Sequence, residues 1–210
     1  MDRVVFFDTV RGNLFNGKLS QLQVNGMDAI LNEWEQRGLV DTRWLAYMLA
    51  TTFHETAFTM QPIEEYGQGR GRAYGEPDPE TGQVYFGRGF VQLTWRDNYL
   101  RFSERLGLDL LAQPELALEL PIASQILFDG MVDGLFTGVG LSRYFREDSD
   151  WYNARRIINR LDRAEQIGRY ARIFWYAIRQ ADGQPSPKSL PGQAGSDLDA
   201  EWQELVREFA

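Results

Sequence analysis

The sequence contains no cysteine and only one histidine among its 210 residues. Without cysteine the fold cannot depend on disulfides, and a zinc site would have to be built mostly from carboxylates, so we expect neither a structural metal nor a cofactor. No run of about 18 apolar residues occurs, and no basic segment leads into an apolar stretch at the N-terminus, so we predict no stable membrane insertion and no export signal.

Positive charge is also scarce. The formal net charge is −8 and the pI is near 4.8, which argues against nucleic-acid binding, because that needs basic side chains to replace phosphate counterions. Apolar residues make up 43% of the chain, enough for one core. We therefore predict one folded unit, monomeric, over residues 1–182. Residues 183–210 read as a Pro/Gly-rich linker with a short amphipathic helix from Leu198 to Phe209.

Apolar periodicity predicts a mainly α fold. The predicted helices cover residues 19–37 (ending at Gly38), a segment from Asp41 or Thr42 to Glu55, 98–106 (ending at Gly107), 122–135 and 151–181. Between residues 67 and 89 the helical period disappears, and glycine and proline are frequent. Residues 84–86 and 90–94 are short and β-rich, so we predict that they are the strands of a small β element.

Glu55 stands at the end of an apolar helical stripe. At about 100° per residue, Trp44, Met48 and Thr51 share a line with it, so Glu55 should lie where apolar packing meets a cleft. Hydrolysis of a glycosidic bond uses one protonated carboxyl and one ionised carboxylate. Desolvation would raise the pKa of Glu55 and make it the acid, while Glu64 or Glu65, in a polar loop, would stay ionised as the base. Spacing alone is a weak signal, because solvated glutamates are common.

Three motifs add a resemblance: His54-Glu55-Thr56, the run YFGRGFVQLTWRDNY from Tyr85 to Tyr99, and Ile158-Asn159-Arg160. Over about residues 43 to 180 the chain resembles glycoside hydrolase family 19, the chitinase-like enzymes, and in particular their phage and prophage endolysin branch. The resemblance implies a lysozyme-like bilobal fold with a small β element lining the cleft, and an acid–base, inverting hydrolysis without a cofactor.

The resemblance also implies roles for single residues. Glu55 matches the general acid and Thr94 the hydroxyl residue that holds the water. The base is Glu65 by its Glu-Tyr-Gly context, or Glu64 by the shorter spacing of some relatives. Further residues match or would adjoin the substrate cleft: His54, Tyr85, Arg88, Gln92, Asn98 and Asn159.

Some of these residues have simpler alternatives. His54 would orient Glu55 or the following loop. Arg88, between two glycines, would pair with a cleft carboxylate. Tyr85 reads equally as a sugar-stacking ring and as a core residue, whereas Trp95 reads as core.

Two departures from the family pattern bear on the substrate. The plant-type chitinases are disulfide-bonded, whereas this chain has no cysteine, and Arg160-Leu161 replaces the usual glycine pair after the late asparagine. Both disfavour chitin and favour peptidoglycan, cut by an enzyme that accumulates in the cytoplasm of a bacterial host and reaches the periplasmic wall after membrane permeabilisation. A chitinase, and a non-catalytic glycan-binding or virion structural protein, are the alternatives.

Overall fold

The computed structural model describes residues 1–184, so the predicted C-terminal helix and nearly all of the predicted linker lie outside the described residues. The described chain is mainly helical, as predicted. Its helices are α1 (Arg3–Leu14), α2 (Gln21–Arg37), α3 (Thr42–Glu55), α4 (Arg96–Leu106), α5 (Leu120–Val132) and α6 (Ala164–Ala181). Short 3₁₀ turns cover Ala73–Gly75, Pro114–Leu118, Leu141–Arg143 and Asn153–Ile157. Within residues 1–184, no helix combines the length and the apolar character that crossing a membrane requires.

Local capping signals account for the helices that the sequence predicted best. Ser20 and Gln23 form a reciprocal capping box at the start of α2, and Gly38 ends this helix with φ 61°. The Asp41 side chain accepts the Arg43 backbone N–H at the start of α3. Gly107 ends α4 with φ 67°. The unpaired backbone N–H and C=O groups at these helix ends are capped by residues close in sequence, through a side chain or through the left-handed glycine. The boundaries can therefore be predicted without tertiary information.

The core is built around α3. Every residue of this helix from Leu45 to His54 is buried, and α3 packs along α6, which also covers α1. On the other side, α2 packs on α5. The last residue of α3, Glu55, is therefore held at the edge of the core by a helix that is enclosed along most of its length.

The predicted strands are wrong in position. The sheet has two strands, β1 (Ile63–Glu64) and β2 (Arg88–Gly89), which pair antiparallel with Glu64 opposite Arg88. Residues 84–86 lie in neither strand, and residues 90–94 turn back, because Arg88 and Leu93 exchange both backbone hydrogen bonds at 3.1 and 2.8 Å. Gln92 takes φ 53° within that turn, a conformation that an extended strand does not contain.

The predicted helix over residues 151–181 is interrupted. Its first part is the 3₁₀ turn Asn153–Ile157, and only Ala164–Ala181 is α-helical. Arg163 between them has φ 54°, which breaks the helical path. Ala154 and Ile157 of this turn are nevertheless buried in the core, so the segment packs inward although its backbone is not one helix. Helix α1 was not predicted, and α5 spans 120–132, not 122–135.

Candidate active site

Glu55 ends the buried stripe of α3, as predicted, but its surroundings are not simply apolar. Met48 and Thr51 of the stripe are fully buried. The Glu55 side chain is 17% exposed, and its Oε1 accepts a hydrogen bond of 2.6 Å from the guanidinium of Arg155. Arg155 is itself buried and donates through Nε to the backbone carbonyl of Asp162 at 3.0 Å. An anchored, desolvated cation thus faces the carboxylate.

A tight connection carries the chain from Glu55 to the β element. Ala57, Phe58 and Met60 all have positive φ, at 49°, 66° and 54°, which non-glycine residues adopt rarely and at some strain. Phe58 and Met60 are buried, and the buried Thr56 hydroxyl accepts the Met60 backbone N–H at 3.1 Å. Surrounding packing therefore holds the short segment that spaces Glu55 from Glu64.

Glu64 pairs with a buried arginine across the sheet. Its Oε1 lies 3.6 Å from Arg88 Nε, and its Oε2 accepts from Gln68 at 2.9 Å. Arg88 donates to the Val84 carbonyl at 3.0 Å and to the Tyr99 hydroxyl at 3.1 Å. Burial raises the pKa of Tyr99 to about 12 despite the nearby guanidinium. Arg88 thus pairs with one of the two glutamates considered for the base, Glu64, which keeps 39% of its side chain exposed.

Glu65 makes different contacts from Glu64, to a tyrosine and to the backbone. Its Oε1 accepts from the Tyr74 hydroxyl at 2.9 Å, and its Oε2 accepts from the Gly87 backbone N–H at 3.2 Å. Its own backbone N–H donates to the Gly87 carbonyl at 2.7 Å. Partial burial and then the bond to Glu65 raise the pKa of Tyr74. Both oxygens of Glu65 therefore brace the loop after β1 against the segment before β2.

The Gly87 backbone lies beneath the polar side chains of the Gln92–Asn98 segment. A Cβ atom on Gly87 would stand 2.8 Å from Gln92 Oε1 and 3.3 Å from Thr94 Oγ1, so a larger residue at this position would displace the Gln92 side chain. Thr94 donates to the Gln92 carbonyl at 2.7 Å, and Asn98 donates to the Thr94 carbonyl at 2.7 Å. Gln92 donates to the Ile63 carbonyl of β1 at 3.2 Å. The structure thus brings Gln92, Thr94 and Asn98 together beside the β element.

His54 and Asn159, two further residues predicted for the site, make fewer contacts with the other site residues. His54 is buried beside Glu55, its Nδ1 makes no hydrogen bond with the described residues, and burial lowers its pKa. Asn159 is exposed, and its Oδ1 accepts the Arg160 backbone N–H at 2.8 Å. It follows Arg155 by four residues on the same turn, and its side chain makes no hydrogen bond to the glutamates in the described chain.

The structure decides between the two readings of Tyr85 and reverses the prediction for Trp95. Tyr85 is 3% exposed and its hydroxyl donates to the Leu111 carbonyl at 3.0 Å, so its ring packs in the core and has no face for a sugar. Trp95, read as core, is 51% exposed. The sequence could not rank them, because both are aromatic residues in one irregular segment.

Arg155 is the site residue that sequence reasoning missed. It lies 100 positions from Glu55 along the chain, so no local spacing relates them. An Arg-Arg pair before the Ile-Asn-Arg motif was the one visible signal, and it does not distinguish the buried Arg155 from the exposed Arg156. Among residues 1–184 no cluster of three or more His, Asp or Glu side chains is arranged to hold a metal ion.

Known proteins similar to this chain are chitinases. No protein-family model matches. An endochitinase of Arabidopsis thaliana is 43% identical over 82 residues, which is 37% of this chain and 30% of the plant protein. A basic endochitinase of Brassica napus is 39% identical over 87 residues, 39% of this chain and 32% of the relative. The chain thus spans about a third of the length of the curated relatives it matches.

The structural comparison extends further along the chain. Chitinase C from Streptomyces griseus superposes with a TM-score of 0.53 at 20% identity, covering 91% of this chain and 79% of that one. The chain therefore has a lysozyme-like, mainly α fold with a small two-stranded sheet. More particularly, this is the fold of chitinase C, and the chitinase-like resemblance predicted from the motifs is confirmed.

Proposed function

We propose that the protein is a glycoside hydrolase that cleaves β-1,4 bonds of an N-acetylated glycan, with Glu55 as general acid and Glu64 as general base. The observation that carries the proposal is the juxtaposition at the end of α3. Glu55 leaves the core beside a buried arginine, and a strained, packed connection leads from it to a second carboxylate on the β element.

Arg155 suits the acid's working cycle. A general acid becomes a carboxylate when it gives its proton to the leaving oxygen. The guanidinium 2.6 Å from Glu55 Oε1 favours the carboxylate form and would stabilise that product charge. Proton donation would therefore require the bound glycan to displace water from around Glu55, which favours the neutral carboxyl. Arg155 is thus a positioning residue, acting on the glycan through Glu55.

Glu64 suits the base better than Glu65. A base must be ionised and must reach a water molecule. The Glu64 carboxylate is 39% exposed, and it contacts Arg88 at 3.6 Å and the exposed Gln68 side chain at 2.9 Å. The Glu65 oxygens are instead held by the Tyr74 hydroxyl and by the backbone N–H of Gly87. We therefore assign Glu65 to positioning the loop, although its sequence context favours it as the base. The Thr94 hydroxyl would hold the attacking water.

For the substrate we propose peptidoglycan, cut between N-acetylmuramic acid and N-acetylglucosamine by a monomeric enzyme of the endolysin type. The cysteine-free composition and Arg160-Leu161 in place of the family's glycine pair support this choice. The same proposal has the enzyme accumulate in the bacterial cytoplasm and act on the periplasmic wall after permeabilisation. Chitin is the second candidate, favoured by the endochitinase names of the relatives.

Release of reducing ends tests the proposal. Wild type, Glu55→Gln, Glu64→Gln and Glu65→Gln are assayed on outer-membrane-stripped Gram-negative walls and on chitin, with the exposed Glu104→Gln as the matched control. We expect Glu55→Gln and Glu64→Gln to lose about 10²–10⁴-fold in rate, Glu65→Gln to lose less, and Glu104→Gln to match wild type. NMR of the first product should show an inverted anomer.

Each other outcome has a meaning. Turnover of chitin alone identifies a chitinase. Greater loss in Glu65→Gln than in Glu64→Gln, at equal thermal stability, reverses the assignment of the base. Binding of either glycan by wild type without any turnover would establish the non-catalytic glycan-binding reading instead.

A further inference from the structure

The exposed Trp95 and the half-buried Tyr74 form an aromatic pair near the β element. Their rings meet edge to face, with centroids 5.1 Å apart and planes at 76°. Trp95 is 51% exposed, whereas the core tryptophans Trp34 and Trp151 are 6% and 8% exposed. Trp95 follows Thr94 directly in the chain, and the Tyr74 hydroxyl donates to Glu65, so the pair belongs to segments that also carry proposed site residues.

The backbone holds Trp95 in an unusual conformation. Its φ is 75°, a left-handed value that is rare and strained for a bulky side chain. Its N–H donates to the Tyr85 carbonyl at 2.9 Å, and its carbonyl accepts from Asn98 at 3.0 Å, in the first turn of α4. The surrounding hydrogen bonds therefore impose the conformation that leaves the indole ring outside the core.

Tyr74 is braced as well. Its hydroxyl donates to Glu65 at 2.9 Å, which ties its ring to the β element. Its loop closes where Gly69 meets Gly75, and a Cβ atom on Gly75 would lie 1.9 Å from the Gly69 carbonyl oxygen. The Tyr74 ring is thus held in place where it contacts Trp95.

We propose that Trp95, supported by Tyr74, is a sugar-stacking subsite that takes the apolar face of one N-acetylhexosamine ring of the bound glycan. The C–H groups on one face of such a ring can cover an indole, and a pre-oriented aromatic ring loses little conformational entropy on binding. The proposal rests on the proposed function for the identity of the ligand, and it assigns a binding role to a residue that otherwise exposes apolar surface to water.

Binding without turnover tests the subsite. In a Glu55→Gln background, titration calorimetry with the N-acetylglucosamine hexamer, and with peptide-free glycan strands from walls, compares Trp95→Ala, Trp95→Phe and Val40→Ala. Val40 is 90% exposed just before α3, whose 14 residues put it about 20 Å from Glu55 along the helix axis, so it is a matched removal of exposed apolar surface.

We expect Trp95→Ala to raise Kd about tenfold, which corresponds to about 1.4 kcal/mol of binding free energy. Trp95→Phe should raise Kd less, and Val40→Ala should leave it unchanged. In the active enzyme, Trp95→Ala should raise KM with a smaller change in kcat. An unchanged Kd in Trp95→Ala, at an unchanged melting temperature, would overturn the subsite. So would a loss in Trp95→Phe as large as in Trp95→Ala, because a ring is then not what matters.

The proposed function fails separately. If wild type releases no reducing ends although the glycans bind in a Trp95-dependent way, the subsite stands and the hydrolase does not. If neither glycan binds at millimolar concentration, the subsite is overturned, whatever the turnover assay shows.

Discussion

The pairing of Arg155 with Glu55 predicts a specific pattern of stability changes. Arg155 is 2% exposed and lies 2.6 Å from the carboxylate. Removing one partner of a buried ion pair typically costs about 3–5 kcal/mol, because the other charge is left uncompensated. Glu55 keeps 17% of its side chain exposed and can recruit water, so Arg155→Met should lower the free energy of unfolding by about 3 kcal/mol. Glu55→Gln, which leaves the guanidinium a neutral acceptor, should cost about 1–2 kcal/mol.

A double-mutant cycle separates the pair from its surroundings. Urea denaturation at pH 7 gives the free energy of unfolding of wild type, both single variants and Arg155→Met/Glu55→Gln, with the slopes m compared to confirm two-state unfolding. The double variant should be more stable than the sum of the single losses predicts, by about 1–2 kcal/mol. Additivity within about 0.5 kcal/mol would refute the reasoning, since two side chains in direct contact cannot then be coupled through their charges.

Two further predictions follow from the core. Burial lowers the pKa of His54, the single histidine. Below the unfolded value of about 6.5 the unfolded chain therefore binds more protons than the folded chain, and the free energy of unfolding decreases as the pH is lowered. His54→Gln should make this decrease smaller between about pH 7 and 5.5, and an identical slope in the variant would mean that His54 titrates normally. Gly26→Ala should cost about 3 kcal/mol, because its Cβ would lie 1.6 Å from the Met60 carbonyl oxygen. The control is Gly12→Ala, which has no atom within 4 Å of its Cβ and should raise the free energy of unfolding by about 0.5–1 kcal/mol. Equal shifts of the urea midpoint in Gly26→Ala and Gly12→Ala would contradict the close packing of Gly26 on Met60.

Local sequence was sufficient to predict a helix end wherever residues close along the chain form the hydrogen bonds that cap it. Ser20 with Gln23, and Asp41 with Arg43, begin α2 and α3, and Gly107 ends α4. The same local period placed Glu55 at the end of the buried stripe. These features follow from hydrogen bonds and burial within one or two turns, so they could be read before any tertiary structure was known.

The sequence by itself determined the mainly α fold, the position of Glu55 at the end of the buried stripe of α3, and the segment that carries Thr94 and Trp95. Tertiary structure alone decided the strand register, the break at Arg163, the contrasting burial of Tyr85 and Trp95, and the arginine that faces Glu55. The physical reason is distance along the chain. Strand pairing, burial and the Arg155 ion pair depend on groups up to 100 residues apart, and no period or spacing encodes which of them meet once the core has closed.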